Sequence, residues 1–82
     1  MPTVYIPTLL RAHTGGQGSL QLEGNTVGAV VEQLEARYPG IKALLLRPQV
    51  AVCVNDEVCP AGALEPVTPE AEIHFIAAIT GG

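Results

Sequence analysis

Eighty-two residues, 48% of them apolar, are enough for one small domain that folds without metal or disulfide staples. A net charge of −4, with Lys42 as the sole lysine and Arg11, Arg37 and Arg47 as the only arginines, excludes a nucleic-acid binder, which needs clustered positive charge. There is no basic region leading into a long N-terminal apolar run and no apolar stretch long enough for a bilayer, so the expected protein is cytoplasmic and engages no membrane.

Thr3 to Pro7 alternates and is rich in β-branched residues, which predicts an opening strand. Thr8 to Gly18 carries the turn signal Thr14-Gly15-Gly16. Ser19 to Glu23 alternates again and should return antiparallel, closing a hairpin. Gly24-Asn25 breaks it. Thr26 fits a helix N-cap. Behind it, Val27, Val30, Val31, Leu34 and Tyr38 recur with helical spacing and make an apolar stripe. Glu32, Gln33, Glu35 and Arg37 fall on the opposite, solvated side. Pro39-Gly40 ends the helix. Ile41 to Leu46 predicts a second short helical segment before Pro48.

Gln49 to Asn55 is the clearest internal strand. Asn55-Asp56-Glu57 is a turn, and Val58-Cys59 a brief edge segment. Pro60 to Leu64 reads as a loop or one helical turn, and Pro66 to Ala71 as a second loop. Glu72 to Ile79 is the final strand. The order ββαββ predicts an α+β fold, a sheet with one main helix on one face. The acidic balance suits a partner with a basic surface.

Few side chains suggest chemistry of their own. Cys53 and Cys59 read as a strand thiol and a loop thiol. They are too few for a disulfide scaffold, and a zinc site needs about four ligands, so no bound metal or cofactor is expected. His13 sits in a glycine-flanked loop. His74 alternates with Ile73 and Phe75 and should point away from the helix. Thr14-Gly15-Gly16-Gln17-Gly18 lies between two strands and lacks the Lys-Ser/Thr of a phosphate loop, so it reads as a turn. Arg11 follows a strand in a chain with few cations and is a candidate contact for an acidic partner. Ile73, Phe75, Ala77 and Ile79 can face the helix, which leaves Ile76 and Ala78 on the other side. Both sheet faces thus carry apolar residues, and one helix covers only one of them. The open face is a candidate docking patch.

The last residues are Ile79-Thr80-Gly81-Gly82. A carboxylate on two residues without Cβ is the slimmest reactive end a chain can offer, able to enter a narrow channel. This diglycine, the ββαββ order and the Val54-Asn55-Asp56 turn together resemble the β-grasp, ubiquitin-like sulfur-carrier family. That group includes the small subunit of molybdopterin synthase, the thiamine sulfur carrier and the cysteine-pathway carrier. The resemblance covers essentially residues 1–82 as a single β-grasp domain with a mixed sheet of four or five strands, residues 79–82 forming a flexible tail. The segment Ile6 to Gln17 and the ending Ile76 to Gly82 are similar to the cysteine-pathway members. The shorter Leu46–Val50 segment, and Pro69-Glu70-Ala71-Glu72 in place of an Asp-Gly-Asp turn, depart from them.

The resemblance implies a protein cosubstrate rather than an enzyme. Gly82 would be adenylated by an E1-like activating enzyme that uses ATP, then converted to a thiocarboxylate, with Gly81 easing passage of the tail. Partners implied are a PLP-dependent cysteine synthase and a metal-dependent peptidase, or the large molybdopterin synthase subunit. The residues expected to bind a partner, from the open face beside the tail and the scarce cation, are Phe75, Ile76, Ala78, Ile79, Thr80 and Arg11. The cysteine pathway is the favoured reading. The molybdopterin synthase subunit and a ubiquitin-like modifier joined through Gly82 to lysines are the alternatives.

Overall fold

The alternating runs become strands β1 (Thr3–Tyr5), β2 (Ser19–Gln21), β3 (Val50–Val54), β4 (Glu57–Val58) and β5 (Glu72–Ala77). The computed structural model describes residues 1–47 and 50–77. Gln49, expected in the third strand, lies outside them, as do Ala78, Ile79, Thr80, Gly81 and Gly82 and hence the expected tail. The strands form one mixed sheet in the order β2-β1-β5-β3-β4. β1 runs antiparallel to β2 and parallel to β5, and β3 runs antiparallel to both β5 and β4. The last strand therefore lies in the middle of the sheet, clamped on both sides.

The main helix, α1 (Val27–Arg37), starts where the sequence places it. Thr26 is extended, and its hydroxyl accepts from the Ala29 N–H at 3.1 Å, satisfying one of the otherwise unpaired first-turn donors. Val27, Val30, Val31 and Leu34 are buried. They pack with Val4 of β1, Ile73 and Phe75 of β5 and Val52 of β3 into one core, with Tyr38 at its margin. The 3.6-residue stripe of the helix thus meets the two-residue alternation of the strands. The loop after β4 covers the helix start: Val27 N–H donates to the Glu65 carbonyl and Val67 N–H to the Asn25 carbonyl, each at 2.9 Å.

The short helix α2 (Ile41–Leu45) follows and buries Ile41 and Leu45. Its start depends on Glu35, which the helical spacing placed on the solvated side. Glu35 is half-buried, and its two carboxylate oxygens accept from the N–H groups of Gly40 and Lys42, each at 2.9 Å. Those bonds favour the ionised form and hold the Glu35 carboxyl below the usual carboxylate range, with the Lys42 charge adding to them. The folded value lies below the unfolded one. The cap therefore contributes fully above the ordinary carboxylate pKa and is lost as pH falls through the folded value. Glu35→Ala should lower the urea midpoint at neutral pH, and the gap to the unsubstituted protein should close in acid. A gap that stayed constant across the acid range would remove Glu35 from this role.

Between β1 and β2 the structure departs from the sequence reading. Thr8–Thr14 is a 3-10 helix, not a plain loop, closed by Gly15 in the left-handed region (φ 62°). Buried Thr14 fastens its end, the hydroxyl lying 2.8 Å from the Gln17 carbonyl and 3.1 Å from that of Arg11. The β3–β4 turn is Asn55-Asp56, with φ 51° and 70°, as a tight two-residue hairpin requires. The Asn55 side-chain carbonyl also accepts from the Glu72 N–H at 3.0 Å, tying this turn to the start of β5. Of the two readings of Pro60 to Leu64, loop or one helical turn, the structure forms the turn, of 3-10 type, at Gly62–Leu64.

Candidate functional site

The register decides which residues share the open face. Tyr5 of β1 pairs with His74 of β5, His74 with Cys53 of β3, and Cys53 with Val58 of β4. These four make a row across the sheet on the side away from α1. The Tyr5 and His74 rings stack with centroids 4.3 Å apart and planes 1° from parallel. His74 Nε2 lies 3.8 Å from the Glu72 carboxylate two residues back. Ala51 and Ile76 form the next pair along β3 and β5. Ile76 is 53% exposed and Val58 67%. The open face is thus partly apolar, with aromatic stacking at its centre and exposed aliphatic side chains at two margins.

β5 reaches Ala77 opposite Val50, at the end of the sheet where β1 passes into Ile6, Pro7 and the 3-10 helix. A depression of about 540 Å³ opens on the open face, running from Pro7, Thr8, Arg11 and Ile76 at this end past Tyr5, His74 and Cys53 to Asp56 of the β3–β4 turn. Two predicted partner residues, Arg11 and Ile76, therefore meet in one place. Phase alternation along β5 turns Phe75 the other way. Its side chain is 4% exposed and belongs to the core, while Phe75 still borders the depression, so it supports the face from beneath. Ala78, Ile79, Thr80, Gly81 and Gly82 lie outside the described residues.

The remaining candidates are dispersed. His13 is exposed and lies against Gly40 at the start of α2, away from His74. Cys53 is buried within the open-face row, and Cys59 is half-buried beside Val54, Glu65 and Val67. Burial pushes the Cys59 thiol up, which disfavours the thiolate and with it sulfur exchange at this position. The ammonium of Lys42 pairs with the Glu32 carboxylate. That contact stabilises the charged form and raises the Lys42 pKa, so the sole lysine is a poorer nucleophile than a free one. Sequence reading missed the Tyr5–His74 stack. The parallel pairing of the first and last strands creates it, and no local signal in either strand announces that pairing.

The chain matches the ThiS family over residues 4–82. It is 41% identical, over 98% of its own length and 97% of theirs, to the sulfur carrier protein CysO of Mycobacterium bovis and of Mycobacterium tuberculosis. A chain of the Amycolatopsis orientalis BexX/CysO complex superposes with a TM-score of 0.90 at 36% identity, covering 100% of both chains. The crystal structure of Mycobacterium tuberculosis CysO gives 0.87 at 37% identity, covering 96% of this chain and 100% of that one. The small archaeal modifier protein 1 of Methanosarcina acetivorans shares the fold, with a TM-score of 0.85 at 21% identity over 99% of this chain and 95% of that one.

Proposed function

Since the chain belongs to the ThiS family, we propose that it is a sulfur carrier protein, loaded at the carboxylate of Gly82 and serving cysteine biosynthesis. The near full-length likeness to CysO sulfur carriers carries this reading. It also favours the cysteine pathway over the molybdopterin one. A carboxylate is a poor electrophile. Attack of its oxygen on the α-phosphorus of ATP releases pyrophosphate and leaves an acyl-adenylate. Sulfide then attacks the acyl carbon, AMP departs, and the product is a thiocarboxylate, ionised near neutral pH and strongly nucleophilic. The E1-like activating enzyme catalyses both steps. A PLP-dependent cysteine synthase uses the product, and a metal-dependent peptidase releases the amino acid.

In this scheme the domain contributes a rigid surface and the diglycine contributes reach. β5 is bonded on both sides within the sheet, so a partner that grips the domain fixes where the chain leaves it. Holding the reacting atom in place in this way lowers the entropic part of the barrier. Incubation with ATP, the activating enzyme and sulfide should raise the mass of the intact chain by the difference between sulfur and oxygen. An unchanged mass under conditions that load a known carrier would overturn the reading. Co-purification separates the pathways, because a PLP enzyme and a large molybdopterin synthase subunit differ in absorbance and size.

A further inference from the structure

Arg11 stands in the last turns of the 3-10 helix, exposed but not loose. Its Nε donates to the Ile6 carbonyl at 3.1 Å. The guanidinium also rests against Gly18: a Cβ there would lie 3.2 Å from Cζ, 3.3 Å from Nε and 3.4 Å from Nη2. Such contacts are tight, so the bare glycine makes the seat. One carbonyl and one glycine, from the two ends of the β1–β2 connection, thus hold the plane of the guanidinium.

Only Nε is used in this seat. Among the described residues no carboxylate forms an ion pair with Arg11, and its Nη groups donate to no side chain or carbonyl. Asp56 borders the same depression without pairing with it. The fork of Nη hydrogens matches a carboxylate in geometry as well as charge. Around it stand Pro7, Ile76 and the stacked Tyr5 and His74, a rim that excludes water when another protein covers it. A positioned arginine within such a rim has the anatomy of a binding hot spot.

We propose that Arg11 receives an acidic side chain of the activating enzyme, so that its carboxylate fixes the carrier's orientation as the tail is taken up. The proposal rests on the sulfur-carrier reading and adds the chemistry of the contact. Its position supports this occupant: Ile76, beside Arg11 in the depression, immediately precedes the last described residue of β5. Gly82 lies five residues beyond Ala77, a span of at most roughly 18 Å, so a protein that receives Gly82 stands close to this end of the sheet. Gly18 is a positioning residue, acting through the orientation of Arg11.

Steady-state loading kinetics with the activating enzyme of the same organism test this. Arg11→Ala should raise the KM for the carrier about tenfold and leave kcat close to the unsubstituted value. Arg11→Glu should raise KM about a hundredfold, because it sets two like charges together. Arg11→Lys should not restore it, since an ammonium cannot both bond Ile6 and present a fork. Gly18→Ala, with all charges intact, should raise KM about threefold by tilting the guanidinium. The KM of the unsubstituted carrier should climb with salt, and that of Arg11→Ala should climb less. Melting curves establish folding, and Arg11→Gln replaces Arg11→Ala if the latter melts early. Unchanged KM in Arg11→Glu, or equal salt dependence in the presence and absence of Arg11, overturns the inference and leaves the carrier reading standing. No loading of the unsubstituted chain overturns both.

Discussion

A chain shortened by one residue, ending at Gly81, is expected to lose sulfur loading by at least about a hundredfold. The carboxylate it exposes is still a glycine carboxylate, so intrinsic reactivity is unchanged. What changes is reach. One extended residue spans roughly 3.3–3.6 Å, and a misplacement of about 1 Å at a reacting centre already costs on the order of a hundredfold in rate. The activating enzyme grips a folded domain whose last strand is clamped between β1 and β3, so the domain cannot slide forward to compensate.

The kinetic signature separates this effect from the Arg11 series. The shortened chain keeps Arg11, Ile76 and the Tyr5–His74 stack, so it should still bind and should compete with the full-length carrier. Its defect falls on kcat. Arg11→Ala shows the opposite split, with KM raised and kcat retained. Gly81→Ala lies between them: length is kept and a Cβ is added in the channel. Mass spectrometry of single-turnover reactions reads all three. Normal loading of the chain ending at Gly81 would show that reach is not limiting and would return the choice of reactive residue to the activating enzyme.

Much of this architecture was legible because period and burial agree. Val27, Val30, Val31 and Leu34 keep helical spacing and are all buried. Thr26 has the cap it announces, and Asn55-Asp56 the positive φ angles of a tight hairpin. What was not legible depends on partners distant in sequence or on compensation inside a segment. Thr8–Thr14 has no apolar period, because only Thr14 is buried, so a 3-10 helix and a loop look alike. Glu35 follows the solvated spacing, yet its carboxylate is taken by backbone N–H groups beyond a helix break. Phe75 and Ile76 are adjacent and equally apolar. Strand alternation already set Phe75 toward the helix and Ile76 toward the open side, and the pairing of β5 with β3 adds which residues stand beside them. Arg11 was visible as a scarce cation, but its seat on Gly18 and Ile6 requires the connection to fold back on itself.

Gly24→Ala should be strongly destabilising, because the added methyl meets buried side-chain and helix-backbone atoms. The glycine lies between β2 and the N-cap of α1, and its backbone presses on the first turn of the helix. A Cβ there would stand 2.7 Å from Val30 Cγ2, 2.8 Å from the Val30 backbone nitrogen and 3.2 Å from the Ala29 carbonyl carbon. Val30 is fully buried, and its N–H donates to the Thr26 carbonyl at 3.1 Å. Neither side can yield: a rotamer change at Val30 would disturb the core, and moving the helix backbone would break the first intrahelical bond. The connection itself must shift, and the Thr26 cap would shift with it. Overpacking of this kind costs about 1–3 kcal/mol, and loss of the cap adds about 1 kcal/mol. At roughly 4–8 °C per kcal/mol for a domain of this size, a total near 3 kcal/mol lowers Tm by about 12–24 °C. Gly28→Ala supplies the comparison. Its Cβ would meet the Ala63 carbonyl oxygen at 2.9 Å and Ala63 Cβ at 3.3 Å, but Ala63 belongs to the short turn after β4, which buries no residue, and alanine gains about 1 kcal/mol over glycine inside a helix, which offsets part of the clash. Its loss should be about a third as large, near 1 kcal/mol. Thermal melts followed by far-ultraviolet circular dichroism measure both. If Gly24→Ala melts within a few degrees of the unsubstituted chain, or below Gly28→Ala in effect, the contact with Val30 does not constrain the connection and the packing argument fails.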